Sequence, residues 1–425
     1  MTNKIICSLE EWDSILDYYR PNGTSKSWGI NEVGKLMIPP TWDMWHFGDD
    51  KKIPNRLKME NMVTPNFFYD NFIYTPYDEI KDSKHFYFIF IWSDVFFINP
   101  LGFKGISEKY KNDVRNGKSK IFLFFMCEGA SGSYGNNELE TIEKWRIEEN
   151  FPDYSIYYFS GNLLIDKIAK AKELKLNCFG TSCFEFTNHN FLINGDPIKF
   201  KPIDDKYLFL SYNRMIRANK VYFVYKILKK KLNKKGLISL GKIDEYESHY
   251  DINQRIIKYL SKITPLRIDD ESDLNVNLCF NVKYEDYEKT FMSIVTETLV
   301  DNDTLFITEK TWKPIIVGHP FIVYGNVGTL KYLKDLGYRT FDRWIDESYD
   351  EENDHFKRCH MIIDEIEKFK NYSIEDLTKI REEMFETCNH NKKHYYKRLK
   401  ENYKYEKNKQ LNDYLISEWN KFLNE

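Results

Sequence analysis

Three short stretches of the chain gather residue types that handle phosphate and protons. The first is Thr308-Glu309-Lys310, directly after the apolar run Leu305-Phe306-Ile307. A hydroxyl followed by a carboxylate suits a helix start, where orphan N–H groups and the positive end of the dipole lie. The second is Asn213, Arg214 and Arg217, after the apolar run Tyr207 to Leu210. Guanidinium groups in a loop or first helical turn can reach a diphosphate, and helix N–H groups add to such an anion site. The third is Glu128, which closes the apolar run Lys120 to Cys127 and opens into Gly129-Ala130-Ser131-Gly132. An acid and a glycine-rich loop at the end of a strand form a ligand-site pattern in α/β proteins. Each stretch also has a plainer reading. Glu309 and Lys310 can be an exposed ion pair worth little. The arginines can cover an exposed helix start. Glu128 can cap the next helix.

The elements that must hold these residues read as alternating strands and helices. From Ser293, the apolar Ile294-Val295 turns polar at Thr296 and Glu297. Trp312, Ile315 and Ile316 share one face of a short helix after Thr308, with Gly318 as its stop. Pro320 opens a strand, Phe321 to Tyr324, and a second helix, Leu330 to Leu336, stops at Gly337. Upstream, Tyr207 to Gly241 reads strand, loop, amphipathic helix, glycine, strand. In the first half, His85 to Ile98, Lys120 to Cys127 and Tyr154 to Phe159 read as strands, and Asn137 to Glu149 and Leu163 to Leu174 as helices. Alternation of this kind predicts parallel sheets with ligands at the carboxyl ends of the strands.

The segments IVTET, FITEK and GHPFIVYG, in that order and followed by TFDRWIDESYD, resemble the donor-binding half of GT-B glycosyltransferases. The fucosyltransferase-like branch, of the kind found in phages and large viruses, is the most similar. The resemblance implies two Rossmann-type domains facing a cleft, with C-terminal helices crossing back. The expected division is an acceptor-side domain over 1–204, a nucleotide-sugar domain over 205–370 and a helical segment over 371–425. It further implies that Arg217, with Arg214 second, and Lys310 neutralise the donor phosphates. Asn213 and Thr308 belong to the same donor-binding set, and Glu297 and Glu309 hold donor hydroxyls or shape the site. Glu128 matches the branch's general base, although Cys127-Glu128-Gly129 departs from the usual Gly-Glu order. A single base across a cleft implies inversion. The acceptor would be a glycan or a hydroxymethylated base in viral DNA.

Composition narrows the alternatives. At 425 residues the chain is long for one core and predicts two domains. A net charge of −3 argues against a polyanion-binding protein by bulk charge. The seven cysteines have no framework spacing, which predicts reduced thiols in a cytoplasm, a host's if the source is viral. The longest apolar stretch, Phe86 to Ile98, is too short to span a bilayer. Asp301-x-Asp303 resembles a metal clamp, but its place on a loop inside the GT-B-like motif leaves the expectation of a metal-free enzyme whose co-substrate is a nucleotide-diphosphate sugar. Asn389 to Lys409 interleaves basic residues with tyrosines, a pattern of nucleic-acid binding and equally of an amphipathic helix. A second function class is therefore a nucleic-acid-binding or structural protein on a decayed transferase fold.

Overall fold

A computed structural model describes residues 5–9, 72–74, 80, 83–90, 106, 108–125, 138–182, 185, 207–213, 216–243, 252–268, 282–404 and 407–425. Within them the chain builds two separate parallel sheets. The first has six strands: β1 (Ile5–Leu9), β2 (Phe72–Tyr74), β3 (His85–Phe90), β4 (Ser119–Phe125), β5 (Ile156–Ser160) and β6 (Asn177–Gly180). They lie in the order β2-β1-β3-β4-β5-β6. Every pair in the sheet is parallel. Helices α1 (Glu108–Arg115), α2 (Glu138–Glu148) and α3 (Ile165–Ala171) connect the later strands.

Side chains alternate between the faces of this sheet, as a strand's period of two requires. Ile121, Leu123, Ile156 and Tyr158 face α1 to α3 and form one buried cluster with Tyr110, Ile142 and Ile165. Their neighbours Phe122, Phe124, Tyr157 and Phe159 face the other way. That second face is covered from far along the sequence. The last helix, Lys409–Asn424, lays Leu411, Leu415, Trp419 and Phe422 on it. Tyr157 also donates to Glu418 Oε2 at 2.7 Å.

The second sheet begins at Tyr207. Its strands are β7 (Tyr207–Ser211), β8 (Gly236–Ile238), β9 (Thr290–Thr296) and β10 (Phe321–Tyr324). They are arranged β10-β9-β7-β8, again all parallel. Helices α4 (Ala218–Lys229), α5 (Gln254–Leu260), α6 (Tyr284–Glu288), α7 (Glu309–Val317), α8 (Thr329–Asp335) and α9 (His355–Lys368) pack around it. The core runs from Phe209 through Ile294 and Trp312 to Ile362. Gly318 sits at φ 74°, the left-handed stop of α7 that a side chain would strain. A long helix, α10 (Ile374–Asn402), adds Leu377, Met384 and Tyr395 to this core. A short antiparallel pair, β11 (Tyr403–Lys404) and β12 (Lys407–Asn408), turns the chain into α11 (Lys409–Asn424). The charged stretch from Tyr284 forms a short helix that ends at Glu288, and Phe291 lies buried inside β9, in the core.

Where the two sheets meet, carboxyl ends face each other. Asn162, just past β5, accepts through Oδ1 from Leu305 N at 3.0 Å, and Leu163 N donates to Leu305 O at 2.9 Å. Leu163 packs on the second core. Gly180, at the end of β6, lets this turn approach. A Cβ there would stand 2.6 Å from Asn162 O. A second tie is Glu185, buried and paired with Arg398 at 2.6 Å, which also accepts from Tyr338 and, through its carbonyl, from Tyr395. Among the described residues no helix is long and apolar enough to cross a membrane.

One buried histidine braces the second sheet. His319 Nε2 lies 2.9 Å from Thr290 O, and a carbonyl can only accept, so the proton is on Nε2. Ser293 Oγ then donates to Nδ1 at 2.9 Å. Burial, with the charge of Arg381 beside it, pushes this imidazole down to about 3. The unfolded chain therefore binds a proton that the folded one refuses, and stability falls as pH drops from about 6.5 toward 3. Thermal melts between pH 7 and pH 5 should show a falling Tm in the wild type and a shallower fall in His319→Gln. Parallel slopes would remove His319 as a source of acid lability.

Candidate functional site

The second sheet reverses its order at β7. The chain leaves β7 for β8 on one side and returns to β9 on the other. Such a switch point opens a crevice outside the carboxyl ends of the two central strands. The residues just beyond β7 and β9 are Asn213, Arg217 and Glu297, and α7 begins beside them.

Glu297 organises the crevice. Its side chain is fully buried. Oε1 accepts from Thr308 N at 3.1 Å and from Thr311 Oγ1 at 2.6 Å. Oε2 accepts from Thr308 Oγ1 at 2.6 Å and Thr298 N at 3.3 Å. The Glu297 carbonyl accepts from Asn219 Nδ2 at 2.9 Å, which ties in the first turn of α4. A carboxylate thus occupies the positive end of α7. Thr308 also caps that helix, accepting from Lys310 N at 3.4 Å.

Asn213 is as deeply buried as Glu297 and equally engaged. Its Oδ1 accepts from Thr296 Oγ1, and its Nδ2 donates to Ser211 Oγ at 3.0 Å. Ser211 in turn donates to Ile294 O at 2.9 Å. Asn213, Glu297 and Thr308 therefore form a satisfied polar frame across the ends of β7 and β9.

The cations lie on this frame. Lys310 Nζ donates to Glu309 Oε1 at 2.8 Å and to Thr308 Oγ1 at 3.0 Å. Burial opposes the charge on Glu309, but Lys310 and Lys313 outweigh it and hold the carboxyl down to about 2. Burial likewise opposes the charge on Lys310, and Glu309 and Glu297 outweigh it and raise its pKa. Arg217 is the N-cap of α4, whose first turn no side chain caps. Its charge reaches both Lys310 and Lys220. So of the residues expected from sequence, Asn213, Arg217, Glu297, Thr308, Glu309 and Lys310 come together at one switch point. Arg214 and Glu128 lie outside the described residues. Asp94, an acid inside the apolar stretch Phe86 to Ile98, and Trp28, Trp42, Trp45 and His46, aromatic rings among turn-forming residues that could stack on a ligand, also lie outside the described residues. β4 ends at Phe125 opposite Ser160, on the edge of the first sheet that meets Leu305.

Two residues that the sequence reading passed over belong here. Lys220, in the first turn of α4, is only 2% exposed. Burial pushes its ammonium down to about 7, helped by Lys310 and Arg217 and opposed by Glu309 and Glu297. Lys220 lies three, four and seven residues before Phe223, Val224 and Ile227, on the apolar face of the helix, and that spacing is the signal that could have found it. Arg358 is the other, buried in α9. Its guanidinium donates to Val300 O at 3.0 Å, Glu352 O at 2.9 Å and Gly325 O. It pins the loop that follows β9 against the end of β10. Asp301 and Asp303 lie in that loop, and their carbonyls accept from Asn326 and Asn162. Among the described residues no group of three His, Cys, Asp or Glu is placed to hold a metal. The basic, tyrosine-rich stretch forms the end of α10, with Tyr395 buried and Lys393, Lys397 and Lys400 exposed.

Because four donors converge on Glu297, Glu297→Ala strands them in a dry site. Urea unfolding should register a loss of about 3 kcal/mol. A loss below about 1 kcal/mol would mean that water or relaxation replaces the carboxylate, and the frame would not depend on it.

No protein-family model matches the chain, and no curated protein sequence matches it either.

Proposed function

We propose that the protein is a glycosyltransferase of GT-B architecture that moves a sugar from a nucleotide-diphosphate donor to an acceptor hydroxyl. The observation that carries this reading is the gathering of Arg217, Glu309 and Lys310 at the switch point of a parallel sheet, beside an uncapped helix start. Cations there suit a leaving diphosphate, whose charge grows as the glycosidic bond breaks. Glu309, held ionised by its lysines, is equipped to accept from sugar hydroxyls. The ordered likeness of IVTET, FITEK and GHPFIVYG to the fucosyltransferase-like branch supports the same assignment.

In this reading residues 205–370 bind the donor, residues 1–204 bind the acceptor and residues 371–425 link them. Glu128 takes the proton of the acceptor hydroxyl. The freed oxygen attacks the anomeric carbon, and the bond to the diphosphate breaks with its electron pair leaving on phosphate. One displacement inverts the configuration. The acceptor is a glycan or a hydroxymethylated DNA base, and cationic side chains take the place of a metal at the diphosphate.

A thermal-shift screen across UDP, GDP and dTDP sugars should identify the donor. Calorimetry with that donor should show affinity weakened by about tenfold or more in Arg217→Ala and Lys310→Ala, as for loss of a charged hydrogen bond. Unchanged affinity in both variants would reject the donor site.

Glu128→Gln keeps the size of the side chain but cannot accept a proton. Turnover should fall by about two to four orders of magnitude with donor affinity little changed. Near-normal turnover would remove Glu128 as the base.

A further inference from the structure

Helix α10 changes sign along its length. Residues 374–389 carry five acids against two Lys and Arg, and residues 390–402 carry five Lys and Arg against one acid. In a chain of net charge −3 the second half stands apart. The helix dipole explains little of this, because its effect fades within the last turn and the basic run reaches back to Lys392. The basic half is also shaped. Lys392, Lys393, Tyr396, Lys397, Lys400 and Glu401 line one groove of about 600 Å³. Lys393, Tyr396 and Lys400 follow at spacings of three and four, which puts them on one face. The three lysines at 393, 397 and 400 are exposed, and Tyr396 is partly buried, packed on the second core. Lys397 reaches Glu401 at 3.8 Å, an exposed pair worth little. Among the described residues no acid pairs with Lys393 or Lys400. Lys392 is buried, and its stem lies beside Gly318 at the stop of α7. Gly318 is roughly 15 Å along α7 from Thr308, so the groove is separate from the crevice.

We propose that this groove binds a single-stranded nucleic acid, with backbone phosphates on Lys393, Lys397 and Lys400 and a base against the ring of Tyr396. Charge by itself would suit any polyanion. The ring among the cations separates them. It gives a base an apolar face to lie on, which an acidic peptide has no use for, and a base can reach it only when unpaired. A membrane surface would call for large apolar side chains exposed beside the lysines. The exposed residues of this groove are lysines and Glu401. The lysine stems add to the apolar floor while their ammonium groups stay in water, where they can trade counterions for phosphates. The proposal does not depend on the donor-site reading of the crevice.

The test is fluorescence anisotropy of the full chain with a labelled oligo-dT strand and with the matching dA–dT duplex, at about 50 and about 200 mM salt. Three phosphate contacts set a log–log salt slope of about −2 for the strand, and the strand should bind more tightly than the duplex. The triple variant Lys393→Gln, Lys397→Gln, Lys400→Gln alters only exposed side chains, so its Tm should match the wild type. Its affinity for the strand should drop by at least about tenfold, with the salt slope near zero. Tyr396→Phe keeps the ring and should bind as the wild type does. Tyr396→Leu keeps an apolar filler without the ring and should lose about fivefold or more. Poly-glutamate of equal charge should not displace the strand. Absence of binding at roughly 100 μM protein in the lower salt would overturn the proposal. So would a triple variant that folds and binds like the wild type. Tighter binding of the duplex, or displacement by poly-glutamate, would also overturn it and assign the groove to a duplex or to an acidic polypeptide.

Discussion

A single buried carboxylate sets the geometry on which the crevice depends. Glu297 leaves the end of β9 and finds its donors in Thr298, Thr308 and Thr311. A charged acceptor in a dry interior must be fully bonded. That requirement fixes where α7 starts, because the helix has to deliver one amide and two hydroxyls to the same carboxylate. Once α7 is placed, Lys310 has to project from its first turn beside Glu309. The Glu297 carbonyl extends the constraint to α4 through Asn219, and with it to Arg217 and Lys220.

The same constraint decides which groups remain for a ligand. Residues that read alike in sequence divide into frame and face. Asn213, Glu297 and Thr308 are buried and satisfied, so they hold the crevice open and keep its shape. Arg217, Glu309 and Lys310 are only partly covered and sit on top of that frame. The helix start at α7 is filled by the protein's own carboxylate, whereas the one at α4 has no side-chain cap. A dissolved anion would therefore be drawn to α4 and not to α7, even though both helices follow a strand of the same sheet.

The two sheets are tied in three ways of different range. Asn162 and Leu163 pair with the loop before α7, so the turn after β5 rests directly on the structure that carries Thr308. Glu185 is clamped by Arg398, Tyr338 and Tyr395 from the second unit and α10. Lastly, α11 supplies four large apolar side chains to a face of the first sheet, which would otherwise expose Phe86, Phe122 and Phe124. Arg358, deep in α9, braces the loop between these ties by holding its carbonyls. The contact of α11 with the first sheet joins residues as far apart in sequence as Lys84 and Phe422, 338 positions, through a hydrogen bond of 2.7 Å.

Local pattern alone determined much of this. Short continuous apolar runs and glycine stops placed β4, β5, β7 and β10 and ended α7 at Gly318, because buried strands and left-handed caps are marked by a few neighbouring residues. The order of Thr308-Glu309-Lys310 after an apolar run was enough to locate the head of a helix with charges on it. Sequence could not say that Glu297 is spent on that head, since its partners lie eleven and fourteen positions away and are recruited by folding. Spacing alone puts Lys220 on the apolar face of α4 with Phe223, Val224 and Ile227, but it could not say that Asn219 beside it would bond the Glu297 carbonyl. The cover of α11 on the first sheet is likewise invisible to any local window. Which polar group is frame and which is face depends on water being excluded, and only the tertiary structure decides where water is excluded.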